Sequence, residues 1–188
     1  MGNIILFAPR RFGDKRGWFS EVFNARREIG NGIAVDFVQD NQSYSTLSGT
    51  IRGIHFQRPP HAQAKLVRCS RGRLIDYAVD LRRGSPTYGH YVAAELTADK
   101  GEQLFVPVGF GHAFITLEPG TEICYKVSDY YDADCDGGLR WDSPEIAIDW
   151  PNVATVTLSE RDRTLPTLVD FQSPFAYDGV PMKMINLG

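Results

Sequence analysis

The segment "VPVGFGHAF", residues 106–114, contains Pro107, Gly109 and His112 in the spacing P-x-G-x-x-H. The proline ring fixes one backbone dihedral and glycine accepts conformations that other residues avoid, so the two residues favour a tight turn. Apolar residues on both sides indicate a strand before the turn and another strand after it. The segment therefore predicts a turn that delivers a histidine onto the second strand.

Short runs of Val, Ile, Leu, Phe and Tyr recur along the rest of the chain, and turn signals rich in Gly, Pro and Asp separate them. The run "RLIDYAVDL", residues 73–81, alternates, with Ile75, Tyr77, Val79 and Leu81 on one face. A period of two is the pattern of a β-strand with one apolar face. Many short strands with turns between them predict a mainly β fold, either a sandwich or a barrel.

Helical patterns are restricted to two short stretches, residues 23–29 and residues 159–166, and Ser159 is a suitable N-cap for the second. We find no linker, repeat or low-complexity segment, so residues 1–188 are predicted to form a single domain. The pattern fades from about residue 170 onward, and we expect this tail to wrap the domain or to be partly loose.

Composition excludes several classes of protein. The net charge of -3 gives no basic excess for a nucleic-acid partner. No apolar stretch approaches the roughly 20 residues that span a bilayer, so no membrane segment is expected. The cysteines at 69, 124 and 135 are odd in number and contain no C-x-x-C pair, which argues against a disulfide framework or a structural zinc site. A reducing cytoplasm is the expected compartment.

The polar chemistry is concentrated in "IRGIHFQRPPHAQAKLVR", residues 51–68. His55 is either a hydrogen-bonded core residue or a general base, because imidazole titrates near neutral pH. Lys65 lies in an otherwise apolar run, and a buried ammonium is costly unless it is paired or has a function. A base for a C–H proton and a cation for an enolate oxygen are the groups required for proton abstraction next to a ketone.

The P-x-G-x-x-H spacing resembles the second signature of the cupin superfamily, which implies a double-stranded β-helix, or jelly roll. The first cupin signature would fall at residues 53–57, which read G-I-H-F-Q. Gln57 stands where metal-binding cupins carry the second histidine of an H-x-H pair, so a metal would lose one imidazole ligand. We therefore predict neither a metal nor an organic cofactor.

Eight segments in order are similar to the sugar-nucleotide 3,5-epimerase family, typified by dTDP-4-dehydrorhamnose 3,5-epimerase. A single R-G-x-H-F-Q motif would be weak support, but eight ordered segments make chance agreement improbable. The matching segments are 14–23, 37–45, 49–72, 79–89, 104–114, 125–131, 148–151 and 158–162.

The resemblance implies a catalytic role for four residues. His55 is the base, and Asp162 fixes its tautomer and steadies its positive form. Lys65 holds the oxyanion that develops at C4. Tyr130, the first tyrosine of "SDYY", is the acid on the opposite face of the sugar ring, and a phenol remains protonated at neutral pH.

The resemblance also implies a set of substrate-binding residues, whose arginines suit phosphate and whose amides suit a pyrimidine edge. Alternative interpretations remain: the arginine at 16 as a solvated turn residue, the phenylalanine at 19 as simple core, and the histidine at 112 as structural. The predicted residues are Arg16, Phe19, Glu21, Gln39, Asn41, Arg52 and His112.

The predicted activity is that of an isomerase in dTDP-rhamnose biosynthesis. It would epimerise C3 and C5 of dTDP-4-dehydro-6-deoxy-D-glucose, giving dTDP-4-dehydro-L-rhamnose. The resemblance also implies a homodimer that exchanges N-terminal strands. Alternatives are an enzyme that inverts only C3 or only C5, a keto-sugar isomerase, a metal-dependent cupin oxygenase and a non-catalytic sugar-binding cupin.

Overall fold

A computed structural model describes residues 3–187 of the chain. Two short helices are present in this part, α1 (Ala25–Gly30) and α2 (Glu160–Thr164). The strands are β1 (Asn3–Phe7), β2 (Arg11–Asp14), β3 (Gly17–Ser20), β4 (Gln39–Ser45), β5 (Ile51–Gln57), β6 (Lys65–Arg71), β7 (Arg73–Asp80), β8 (Tyr91–Thr97), β9 (Gln103–Val106), β10 (Phe110–Thr116), β11 (Thr121–Val127), β12 (Asp136–Gly138) and β13 (Lys183–Asn186).

Most strands belong to two sheets that pack face to face. A six-stranded sheet has the order β13-β1-β9-β6-β11-β4, and a five-stranded sheet has the order β12-β5-β10-β7-β8. Strands β2 and β3 form a separate hairpin. Val67 and Ile123 of the larger sheet share one buried cluster with Ala78 and Phe114 of the smaller sheet. The prediction of a mainly β, jelly-roll fold with a few short helices is confirmed.

The Pro107–Gly109 turn connects β9 to β10, as the sequence predicts, and it passes the chain from one sheet to the other. Gly109 has a φ of 95°, and a Cβ at this position would meet the side chain of Arg82 at 2.8 Å. The turn therefore requires glycine for its backbone conformation and for its packing. It sets the register in which His112 lies opposite His55 of β5.

Both faces of β7 are buried. Tyr77 and Val79 pack in one cluster, whereas Leu74 and Ala78 pack in another cluster, between the two sheets. The sequence pattern had indicated a single apolar face. Asp76 lies on the second face and is buried, because the six-stranded sheet covers that face.

The two helices begin at the expected type of residue. Asn24 Oδ1 accepts a hydrogen bond from the backbone N–H of Arg26 at 3.0 Å at the start of α1. Ser159 Oγ accepts one from the N–H of Asp162 at 3.1 Å at the start of α2, which confirms its prediction as an N-cap. This cap fixes the first turn of α2 and with it the position of Asp162.

The tail follows the surface of the sandwich. Buried Arg82 donates from Nη1 to Asp178 Oδ1 and to the carbonyl of Val180, both at 2.9 Å, and Phe175 is buried. Strand β13 then pairs in parallel with β1 at the edge of the larger sheet.

The three cysteines are free thiols. Within residues 3–187, neither helix is long and apolar enough to cross a membrane.

Candidate active site

Two adjoining cavities are lined by residues from both sheets of the sandwich. Cavity A has a volume of 470 Å³ and cavity B has a volume of 430 Å³. The residues that line both cavities are His55, Lys65, Tyr125 and Arg161. Cavity A is also lined by Ser43, Arg52, His112, Phe114 and Asp162, among others. Cavity B is also lined by Gln39, Asn41, Gln57, Tyr131 and Asp136, among others.

His55 and Asp162 form a hydrogen-bonded pair, with 2.7 Å between His55 Nε2 and Asp162 Oδ1. The backbone N–H of Gly53 donates to the other carboxylate oxygen at 3.4 Å. Burial alone would raise the pKa of Asp162, but hydrogen bonds from His55, Gly53 and Ser159 hold it below the usual value. The carboxylate therefore stays ionised and fixes the imidazole, while 28% of the His55 side chain remains accessible from the cavities.

His112 and Asp76 form a second pair, with 2.9 Å between His112 Nε2 and Asp76 Oδ2. Both side chains are buried, and Asp76 Oδ1 has no hydrogen-bond partner among the described residues. Burial raises the pKa of Asp76 and lowers the pKa of His112, although each group opposes the shift of the other. The strand pattern gives no indication of a role for Asp76, which fixes the imidazole that lines cavity A.

Lys65 lies at the start of β6, between Val106 and Val127 of the neighbouring strands, and only 9% of it is exposed. Burial lowers the pKa of Lys65 to about 8, while the negative charges of Asp76 and Asp136 act in the opposite direction. The Lys65 ammonium is therefore held in a poorly solvated position in the two cavities that His55 also lines, where an oxyanion could be stabilised.

The tyrosine that the structure brings to both cavities is not the one that the resemblance implies. Tyr130 is 64% exposed and does not line either cavity. Tyr125 lines both cavities, because it points inward from β11 on the same side as Ile123 and Val127. Tyr131 lines cavity B. Tyr130 comes after the end of β11, where the alternation that would turn a side chain inward has ceased.

The predicted substrate-binding residues divide into two groups. Gln39 and Asn41 line cavity B, and Gln39 Nε2 donates to Asn41 Oδ1 at 2.9 Å. Arg52 and His112 line cavity A. The remaining three do not line the cavities of their own chain, since they lie on or next to the exposed β2–β3 hairpin: Arg16, Phe19 and Glu21.

Sequence analysis missed the ion pair between Arg161 and Asp136, whose Nη2 and Oδ2 atoms are 2.8 Å apart. Arg161 immediately precedes Asp162 in α2, and it lines both cavities. Its place beside Asp162, in the segment of residues 158–162 that resembles the family, was the signal available in the sequence. Among residues 3–187, no three His, Cys, Asp or Glu side chains are grouped so that they could hold a metal ion.

The site combines a carboxylate-bound imidazole from the five-stranded sheet with a phenol and an ammonium from the six-stranded sheet. On a jelly-roll fold, these groups suit an isomerase that moves protons next to a carbonyl group. The model of the family described as dTDP-4-dehydrorhamnose 3,5-epimerase matches residues 1–170. The chain belongs to this family.

Relatives and solved structures agree with this assignment. A dTDP-4-dehydrorhamnose 3,5-epimerase of Sinorhizobium fredii is 51% identical over 177 residues, covering 94% of this chain and 91% of the relative. The crystal structure of a dTDP-6-deoxy-D-glucose-3,5-epimerase from Legionella pneumophila, in complex with dTDP-4-keto-L-rhamnose, is 38% identical with a TM-score of 0.87 and covers 92% of each chain.

A third similar structure is a double mutant of ChmJ, a 3'-monoepimerase from Streptomyces bikiniensis, in complex with dTDP. It is 30% identical, has a TM-score of 0.81, and covers 88% of this chain and 83% of its own. In that protein a histidine is replaced by asparagine, and a tyrosine 70 positions further along is replaced by phenylalanine.

Proposed function

We propose that the chain epimerises C3 and C5 of dTDP-4-dehydro-6-deoxy-D-glucose, in dTDP-rhamnose biosynthesis, through His55, Lys65 and Tyr125. One observation carries the mechanism: the three residues line both cavities, and His55 comes from the sheet opposite to the one that supplies Tyr125. Inversion needs this arrangement, since a proton leaves one face of the sugar ring and another proton returns to the opposite face.

In the proposed reaction, His55 takes the proton from a carbon next to the 4-keto group, and Asp162 steadies the imidazolium. The electron pair of the C–H bond forms a C=C bond, the π pair of the C=O bond moves onto the oxygen, and the Lys65 ammonium holds the resulting negative charge. Tyr125 then donates its phenolic proton to the opposite face of the carbon while the carbonyl re-forms. Solvent reprotonates the tyrosinate and takes the proton from the His55 imidazolium, so both residues return to their starting states. Burial raises the pKa of Tyr125, so this phenol is protonated and able to donate.

Tyr125 replaces Tyr130 as the proposed acid for a second reason. His55 and Tyr125 are 70 positions apart, the same spacing as the substituted histidine and tyrosine of the 3'-monoepimerase. Tyr130 lies 75 positions after His55. The agreement supports the pair His55 and Tyr125 as the base and the acid.

The two cavities offer complementary groups to the rest of a nucleotide sugar. Arg52 and Arg161 supply guanidinium groups for the diphosphate. In cavity B, the amides of Gln39 and Asn41 supply donors and acceptors for a pyrimidine, and the exposed ring of Tyr131 supplies a stacking surface.

A homodimer that exchanges N-terminal strands would account for Arg16, Phe19 and Glu21. The β2–β3 hairpin pairs with neither sheet, and Phe19 is 68% exposed. An exchanged hairpin would carry these residues to the cavities of the partner subunit. Mixing inactive His55→Asn protein with weakened Arg16→Ala protein should then restore activity, because mixed dimers contain one site with both residues intact. No recovery after subunit exchange would refute the exchange.

Tyrosine variants test the proposal directly. Purified protein is incubated with dTDP-4-dehydro-6-deoxy-D-glucose and a downstream reductase, and dTDP-L-rhamnose is scored. Tyr125→Phe should lower kcat by about 10²-fold or more, the contribution of a positioned acid, whereas Tyr130→Phe should change it less than about threefold. Equal losses in the two variants would refute the assignment of Tyr125.

The alternative of inversion at a single carbon is favoured by one observation, the similarity to a 3'-monoepimerase. Reaction in heavy water followed by NMR separates the two, since deuterium at both C3 and C5 is expected and label at one carbon alone would favour the alternative.

A cytoplasmic location is supported by the free thiols of the cysteines.

A further inference from the structure

Gln57 lies two residues after His55 on β5, on the same face of the strand, and it is 3% exposed. A buried amide requires hydrogen-bond partners, and this one has three. Gln57 Nε2 donates to the carbonyls of His61 at 2.7 Å and Tyr130 at 3.1 Å. Gln57 Oε1 accepts from the backbone N–H of Asp132 at 2.8 Å.

Two of these bonds hold the 129–132 loop, which we define as residues 129–132 after the end of β11. They fall on the residues immediately before and after Tyr131, so the backbone of this tyrosine is held on both sides. The N–H of Tyr131 also donates to Gln39 Oε1 at 3.0 Å, and its hydroxyl lies 3.4 Å from Asp136 Oδ2. Tyr131 is thus fixed at cavity B although its ring is exposed.

We propose that Gln57 is a positioning residue that sets the 129–132 loop, so that Tyr131 receives the nucleoside part of the substrate. The inference rests on the proposed function, because it assigns that part of the substrate to cavity B. Gln57 occupies the position of a metal-binding histidine in other cupins, and here its amide ties the strand that carries the base to the loop that carries the stacking ring. Gln57 therefore governs substrate affinity and leaves the proton transfers to His55 and Tyr125.

The first test is Gln57→Met, which keeps the length of the side chain and removes all three hydrogen bonds. We expect KM to rise about tenfold while kcat changes less than about threefold, the pattern of lost substrate binding. Gln57→Glu is a second variant that should raise KM similarly, because a carboxylate cannot donate to the two carbonyls. An unchanged KM in both variants, or a loss confined to kcat, would overturn the inference.

Ser143→Ala is the matched control. Ser143 is buried, lines neither cavity, and accepts a hydrogen bond from the N–H of Leu168 at 2.8 Å, the same kind of contact as that between Gln57 and Asp132. Ser143→Ala should leave KM within about twofold of the value for the unchanged protein, since a substitution outside the cavities should have little effect on substrate affinity. An equal rise in KM in the control would mean that any lost loop contact has the same effect.

A double-mutant cycle tests whether Gln57 acts through Tyr131. In a Tyr131→Ala background, Gln57→Met should raise KM less than about twofold further, because the residue that it positions is already absent. Independent, multiplicative effects of the two substitutions would overturn the inference in favour of a direct contact between the amide and the substrate.

Amide hydrogen exchange separates this inference from the proposed function. The N–H of Asp132 should exchange about tenfold faster or more in Gln57→Met than in the unchanged protein, and Ser143→Ala should not alter it. The measurement needs no substrate, so it decides the loop contact even if the protein fails to turn over dTDP-4-dehydro-6-deoxy-D-glucose. Unchanged exchange at Asp132 would overturn the positioning role, and calorimetric titration with dTDP would then test affinity alone.

Discussion

The two carboxylate–histidine pairs whose imidazoles line cavity A have the same chemical groups and similar nitrogen–oxygen distances, yet their surroundings differ. The nitrogen–oxygen distance is 2.7 Å for His55 and Asp162, and 2.9 Å for His112 and Asp76. In the first pair the carboxylate accepts additional hydrogen bonds, and in the second pair one carboxylate oxygen has no partner among the described residues. The pKa of Asp162 is accordingly lowered and the pKa of Asp76 is raised.

This difference shows that two properties, rather than the pairing itself, decide which chemistry a histidine supports. They are the hydrogen bonds that its carboxylate partner accepts and the accessibility of its imidazole. His55 is fixed by an ionised carboxylate and is accessible from the cavities, so it can accept a proton from a substrate. His112 is buried with its partner, where burial lowers the pKa of His112 and disfavours the charged form. It is suited to contacting the substrate with a neutral imidazole.

The largest expected effect separates the two histidines. His55→Asn should lower kcat by about 10³-fold, because the general base is lost. His112→Asn should lower kcat by only about tenfold, since it removes a group that orients the substrate. Both are measured as the rate of deuterium incorporation from heavy water by NMR. Losses of equal size would contradict the distinction between the pairs.

Lys65 extends the comparison, because Asp76 of the buried pair raises the pKa of Lys65 against the effect of burial. Only the ammonium form can hold the oxyanion, so kcat should fall as the pH rises through about 8. Lys65→Met should lower kcat by about 10²-fold at pH 7, in the range of a lost oxyanion contact. In Asp76→Asn the fall should begin at lower pH. A pH profile that does not move in this variant would exclude the coupling.

The smallest effect is in stability, and the two carboxylates should act with opposite signs. The lowered pKa of Asp162 contributes stability above the unfolded pKa of about 3.8 that is lost as the pH falls through the folded value. The raised pKa of Asp76 gives stability that is present below about 3.8 and is lost as the pH rises through the folded value.

Urea unfolding between pH 3 and pH 8 checks these signs. Asp162→Asn should lower the unfolding free energy at pH 7 and flatten its fall in acid, by roughly 1 kcal/mol per pKa unit. Asp76→Asn should leave the unfolding free energy at pH 7 unchanged or higher. Destabilisation of the same size in both variants would show that the two carboxylates are equivalent for folding.

Local sequence signals predicted the mainly β class, and the resemblance to cupins supplied the jelly roll. The Pro107–Gly109 turn, the alternating strands and the Ser159 cap depend on backbone conformation and side-chain period, which a short segment determines. The same period accounts for the different positions of the two tyrosines. Tyr125 shares its parity with the buried residues Ile123 and Val127, whereas Tyr130 follows the end of the strand.

Other parts of the site depend on contacts between distant segments. The alternation in residues 73–81 places Asp76 on the face opposite Ile75, Tyr77 and Val79, and a single strand does not reveal that a second sheet covers that face. Arg161 acquires its role only when α2 packs beside β12, where it meets Asp136. The three hairpin residues line neither cavity of their own chain, so the binding role that the resemblance implies for them requires the proposed exchange between subunits.

Gly53 connects the two pairs through a single backbone position. Its N–H donates to Asp162, while a Cβ there would lie 2.6 Å from the carbonyl oxygen of His112 and 2.6 Å from Ala113 Cβ. Gly53 should therefore not be substituted in protein engineering, because even an alanine Cβ would force β5 and β10 apart and misalign both imidazoles. Attempts to alter the substrate range are better directed at exposed rim positions such as Tyr131 and Arg161, whose side chains have room to change.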